Sequence, residues 1–62
     1  MQDVKVIQTN GRVTHFINAS YNTTEDFVVI SEWIKDDVYG GYKLISTHSF
    51  NKNEVESIIY ED

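Results

Sequence analysis

The stretch "SFNKNEVESIIYED", residues 49–62, decides the fold, because it reads either as a helix with a full start signal or as one more strand. As a helix, Asn51 is the N-cap and Glu54 falls at N3, the two members of a capping box. Phe50 at N′ and Val55 at N4 take the positions of a hydrophobic staple. Val55, Ile58 and Ile59 then align on one helical face. As a strand from Val55 to Tyr60, the segment turns Val55, Ser57 and Ile59 to the same side. Acids at the C-terminus suit a helix poorly, since the macrodipole is negative there. The start signal carries more weight, and a short C-terminal helix is expected.

The rest of the chain reads as strands. Valine, isoleucine and threonine supply 19 of the 62 residues, while leucine and alanine appear once each. Branched Cβ atoms pack well on a pleated surface, so this balance favours sheet. "VKVIQT" (4–9) and "RVTHFI" (12–17) flank Asn10-Gly11, the strongest short-range hairpin signal. A type I′ turn there pairs Thr9 with Arg12 and Val6 with His15. It sets Val4, Val6, Val13, His15 and Ile17 on one face, and makes His15 a half-buried structural residue. "NASYNTTED" (18–26) is polar and reads as the second connection, and "FVVISEWI" (27–34) reads as a buried strand.

"IKDDVYGGYKL" (34–44) concentrates unusual chemistry. Glycine pairs tolerate the positive φ of a two-residue loop, so Gly40-Gly41 is expected to pair Tyr39 with Tyr42, Asp37 with Leu44 and Trp33 with His48. The expected fold is therefore α+β and β-rich: one domain over residues 1–62, a four-stranded antiparallel meander followed by a short helix. The alternative is an all-β, five-stranded barrel.

Size and charge bound the function. A 62-residue chain buries only about 60% of the surface it exposes when unfolded, and small domains commonly add disulfides, metals or self-association. Cysteine is absent, and His15 and His48 share no ligand spacing. Asp36-Asp37 has no third carboxylate at calcium-loop spacing. No cofactor or metal is expected, and a homo-oligomer, a dimer first, is. The net charge of −5 divides into +1 over residues 1–24 and −6 over residues 25–62. Five scattered bases make nucleic acid an unfavourable partner, whereas an acidic surface suits a basic protein. Acidity also serves solubility alone. The polar N-terminus and the lack of a long apolar run point to a cytoplasmic protein that is not membrane-embedded.

"NGRVTHFINASYNTTEDFVVI" (10–30) resembles the first motif of the Sm-like family of small RNA-binding barrels. Asn10-Gly11-Arg12-Val13, Tyr21, Asn22 and Asp26-Phe27-Val28-Val29 carry the resemblance. Phe16 stands where the family has a close-packed glycine, and no Arg-Gly or Lys-Gly pair occurs near Asn51-Lys52. The resemblance implies a five-stranded barrel and a ring or dimer, without RNA binding.

Nucleophile motifs and Gly-rich phosphate loops are absent, so no enzyme activity is expected. Trp33, Asp36, Asp37, Tyr39 and Tyr42 are the expected partner-binding residues, because Trp and Tyr bury large area at low entropic cost. The chain reads as a complete short frame, with Lys outnumbering Arg four to one, as in AT-rich genomes. In type it is similar to the small inhibitors that phages and mobile elements direct against host proteins of defence or nucleic-acid processing. A nucleotide-sequestering oligomer using Lys5, Arg12 and Lys43 is a further alternative.

Overall fold

The computed structural model describes residues 2–61. It contains five strands: β1 (Gln2–Gln8), β2 (Val13–Thr23), β3 (Phe27–Lys35), β4 (Tyr42–Asn51) and β5 (Val55–Glu61). They form one antiparallel sheet in the order β4-β3-β2-β1-β5. The expected C-terminal helix is not formed. Only one 3-10 turn, Lys52–Glu54, follows Asn51, whose side chain caps nothing, and the chain then enters β5. The reason is tertiary: β1 offers a second edge, and β5 takes it, pairing Val6 with Ile58 and Lys5 with Ile59.

A β-bulge explains why this strand looked helical. Ile7 pairs with Ser57 but Gln8 pairs with Val55, so Glu56 is an extra residue on β5. The extra residue lets Val55 and Ile58, three apart, both pack against the core. Three-residue apolar spacing is the helical signature, and here a bulge reproduces it.

The first hairpin is formed with a different turn. Gly11 donates its N–H to the Gln8 carbonyl and has φ 88°, while Asn10 stays out of the left-handed region. This is a three-residue loop, a type I turn followed by a left-handed glycine. The register moves by one residue relative to a type I′ turn: Val6 pairs with Thr14 and Lys5 with His15. A one-residue slip exchanges the faces of a strand. Phe16 therefore faces the core with Val4 and Val6, and His15 is exposed, 3.3 Å from the Asp3 carboxylate. The half-buried structural role expected for His15 is corrected accordingly.

"NASYNTTED" is mostly strand rather than loop. β2 runs on to Thr23, and Ala19 to Thr23 pair with Glu32 to Val28. Between Phe16, which pairs with Val4, and Ala19, which pairs with Gln2, β2 holds one extra residue, and Asn18 there adopts φ 54°. β2 thus serves β1 with its first half and β3 with its second.

The core is small: Val4, Val6, Phe16, Ala19, Val28 and Ile30 are buried, with Phe50, Val55 and Ile58 packed against them. The sheet curls around this inner face. Phe16 on β2 meets His48 and Phe50 on β4, with ring centroids 4.9 and 6.2 Å apart. Tyr21 on β2 meets Tyr60 on β5 at 5.3 Å, edge to face. In each case a strand lies between the two partners in the sheet order, which only a curled sheet allows.

Candidate partner-binding arm

β3 keeps β4 as a neighbour well beyond the point where it loses β2. Its last pair with β2 is Ala19–Glu32, whereas its ladder with β4 continues through Trp33–Leu44, Ile34–Lys43 and Lys35–Tyr42. Residues 33–45 are thus a two-stranded arm, adding roughly 10 Å of ladder before the loop. The molecule measures 40 × 22 × 14 Å, with a radius of gyration of 12.4 Å. A compact chain of this length has roughly 10.6 Å, so the arm stretches the whole shape.

The loop at the tip is built differently from the expected two-residue turn. Asp36 and Gly41 close it, with Asp36 N–H donating to the Gly41 carbonyl at 2.9 Å and Gly40 N–H donating to the Asp36 carbonyl at 2.9 Å. The Asp36 carboxylate accepts N–H bonds from Val38 and Tyr39, at 2.9 and 3.1 Å. Gly40 and Gly41 have φ 77° and 70°, which explains two successive glycines. Tyr39 is consequently off the ladder and 90% exposed, and Tyr42 pairs with Lys35. The expected Tyr39–Tyr42, Asp37–Leu44 and Trp33–His48 pairs do not form: Trp33 pairs with Leu44, and His48 pairs with Ile30 on the inner face.

Trp33 is the arm's root. Its indole Nε1 donates to Ser20 Oγ at 3.0 Å, and its carbonyl accepts from Asn18 Nδ2 at 2.8 Å. Both bonds reach β2 just where the β2–β3 ladder has ended, so Trp33 holds the arm in place. Of the five residues expected at the contact surface, Asp37, Tyr39 and Tyr42 are exposed on the arm, Asp36 braces its loop, and Trp33 anchors its base. Four further arm residues escaped the sequence reading: Ile34, Val38, Leu44 and Ile45 are 42, 80, 49 and 52% exposed. Adjacent Leu44-Ile45 was the available signal. Ile45 is the extra residue of a bulge between the Glu32–Ser46 and Trp33–Leu44 pairs.

Twelve large apolar side chains are exposed among the described residues, and six of them lie between Ile34 and Ile45. The arm's charges cancel: Lys35 and Lys43 against Asp36 and Asp37. This apolar surface lies on a two-stranded element, which is marginally stable on its own.

A second cluster sits on the inner face at the arm's base. Glu32 Oε1 accepts from Ser46 Oγ at 2.7 Å and lies 2.6 Å from His48 Nε2. The hydroxyl's bond lowers the Glu32 pKa below the usual carboxylate value, and the imidazole's bond adds to this. These three residue types occur in hydrolases, but the geometry here differs. The hydroxyl and the imidazole both point at one carboxylate oxygen, so His48 Nε2, 3.3 Å from Ser46, is not set up to take the serine proton. The cluster is a strand-to-strand tie.

An open surface dish of about 630 Å³ lies at the far end of β4, lined by Glu25, Asp26, Phe27, Asn51, Lys52 and Asn53. Among the described residues, no three His, Cys, Asp or Glu side chains are grouped to hold a metal ion, and no helix is long and apolar enough to cross a membrane. Compared with known proteins, the chain matches no family model, no curated protein and no solved structure.

Proposed function

We propose that the chain is a small acidic protein-binding module that acts by occupying a surface of its partner, with the arm as its contact element. The observation that carries this reading is the concentration of exposed apolar side chains between Ile34 and Ile45. Tyr39 at the tip and Tyr42 beside it are the anchors, because a tyrosine buries large area while losing few rotamers. Asp37 and the acidic remainder of the chain favour a partner with a basic surface and speed its encounter. The role assigned to the chain is that of a phage or mobile-element protein that blocks a host protein of defence or nucleic-acid processing, to which it is similar in type only.

The test is capture from host lysate with the native chain and with a Tyr39→Ala, Tyr42→Ala variant. Neither tyrosine belongs to the core, so circular dichroism should be nearly unchanged. The native chain should retain a protein that the variant loses, with affinity reduced about a hundredfold if both are hot spots. Equal retention by the two chains would place the contact elsewhere.

Nucleic-acid binding by an Sm-like or SH3-like barrel is a second reading, favoured by the curled five-stranded sheet. The charge balance argues against it: five bases stand against ten acids, and Lys5 and His15 lie beside Glu61 and Asp3.

A further inference from the structure

The sheet has two open edges, β4 and β5, and they differ sharply. β5 is seven residues long, carries Glu56 and Glu61, and is bulged at Glu56. Short length, charge and bulges are the devices by which proteins keep sheet edges from pairing. β4 has few of them. It is ten residues long, contains no acid and one base, Lys43, and from Ser46 to Asn51 it is unbroken.

We infer that the outer edge of β4 is a self-pairing surface, on which two copies of this chain join β4 to β4 in antiparallel fashion to form one ten-stranded sheet. Charge selects this edge. Each copy carries −5, so two copies repel over most approaches, and β4 is the edge strand without a carboxylate of its own. Size supplies the need: six buried residues make a small core, and the chain has no cysteine to staple it. Symmetry supplies the fit, since an antiparallel pair of identical strands is self-complementary about a two-fold axis.

An axis perpendicular to the sheet near Thr47 sets Thr47 against its own copy and His48 beside Ser46 of the second copy. Inner face then continues into inner face. The new ladder consumes only backbone groups at the outer edge of β4. Both faces of the arm and its tip stay free, one arm at each end of the dimer, so the inference stands apart from the arm's own partner.

The purified chain is measured by light scattering over a dilution series, alongside Thr47→Asp and Ser57→Asp. Both sites are exposed strand positions outside the core, so both variants should keep the native circular dichroism. The native chain should show twice its 7.2 kDa monomer mass. Thr47→Asp sets two carboxylates against each other across the axis and should raise the dissociation constant about tenfold or more. Ser57→Asp adds the same charge to β5 and should leave the dimer intact. In the native dimer, alternate amides from Ser46 to Asn51 should resist hydrogen exchange, and this protection should vanish on dilution. A native chain that stays monomeric at millimolar concentration overturns the inference. So does a dimer that survives Thr47→Asp, is lost equally in Ser57→Asp, or leaves the β4 amides exchanging freely.

Discussion

Glu32 is the last residue of β3 with a partner on both sides, Ala19 on β2 and Ser46 on β4, and its carboxylate ties β4 to the inner face where the arm departs. Ser46 and His48 both bond one oxygen, which favours the ionised form and depresses its pKa. The sign of the pH effect follows. A carboxylate whose folded pKa lies below its unfolded value adds stability above the unfolded value and loses it as pH falls through the folded one. Glu32→Gln should therefore be less stable than the native chain at neutral pH. The gap should close below about pH 4.5, the ordinary glutamate value. Urea denaturation of both chains at several pH values measures this difference, and the Asp3–His15 pair, common to both, cancels in it. A constant gap down to pH 3 or so would mean that Glu32 acts only through packing. Nothing in the sequence singled out this trio, because its members lie 14 and 16 residues apart on two strands whose register was misplaced. The exposure of Asp37, Tyr39 and Tyr42 around a chain reversal was legible for the opposite reason: they sit in one short stretch whose turn signal is local.

Whole elements were legible where period and turn residues agreed. The strands around Asn10-Gly11 and the run from Phe27 follow the sequence reading, since each has a local signal that tertiary contacts reinforce. The second half of β2 did not read as strand because Asn22, Thr23 and their neighbours are polar on both faces, and the pairing with β3 alone makes it one. β5 was misread because its bulge brings Val55 and Ile58 into phase at helical spacing. That account can be tested by deletion. Removing Glu56 leaves Val55 opposite Gln8, Ser57 opposite Ile7 and Ile58 opposite Val6, which is regular alternation. The deleted chain should keep its fold, with stability within about 1 kcal/mol of native. Removing Ile59 instead turns Tyr60 away from Tyr21, since both neighbours of Ile59 now face inward. That variant should lose about 1 kcal/mol or more, through the aromatic pair and its burial. The denaturation midpoints of the two deletions should therefore separate clearly. A helix would be disturbed alike by either deletion, because each rotates the residues beyond it by about 100°.

At the scale of the molecule, the core and the exposed apolar arm occupy separate parts of the chain. Val4, Val6, Phe16, Ala19, Val28 and Ile30 all lie outside residues 33–45, and none of the arm's apolar residues joins the core. A domain of 62 residues has roughly 3–9 kcal/mol of total stability. Phe16→Ala removes the one aromatic ring in the buried cluster, and with it the contacts to His48 and Phe50. Phe→Ala in a core costs about 3–5 kcal/mol, a large share of that total. Replacing residues 36–41 by Asn-Gly leaves the Lys35–Tyr42 pair to be closed by a two-residue turn and takes away no core residue. The shortened chain should unfold within about 1 kcal/mol of native in urea, because surface changes away from the core are small. It should nonetheless lose partner capture through Tyr39, while a β4-paired dimer, which uses the backbone of β4 and none of residues 36–41, should persist at twice the shortened chain's mass. If the shortened chain unfolds like Phe16→Ala, the arm is part of the fold's support rather than an appendage carried by it, and its exposed apolar residues have a structural use.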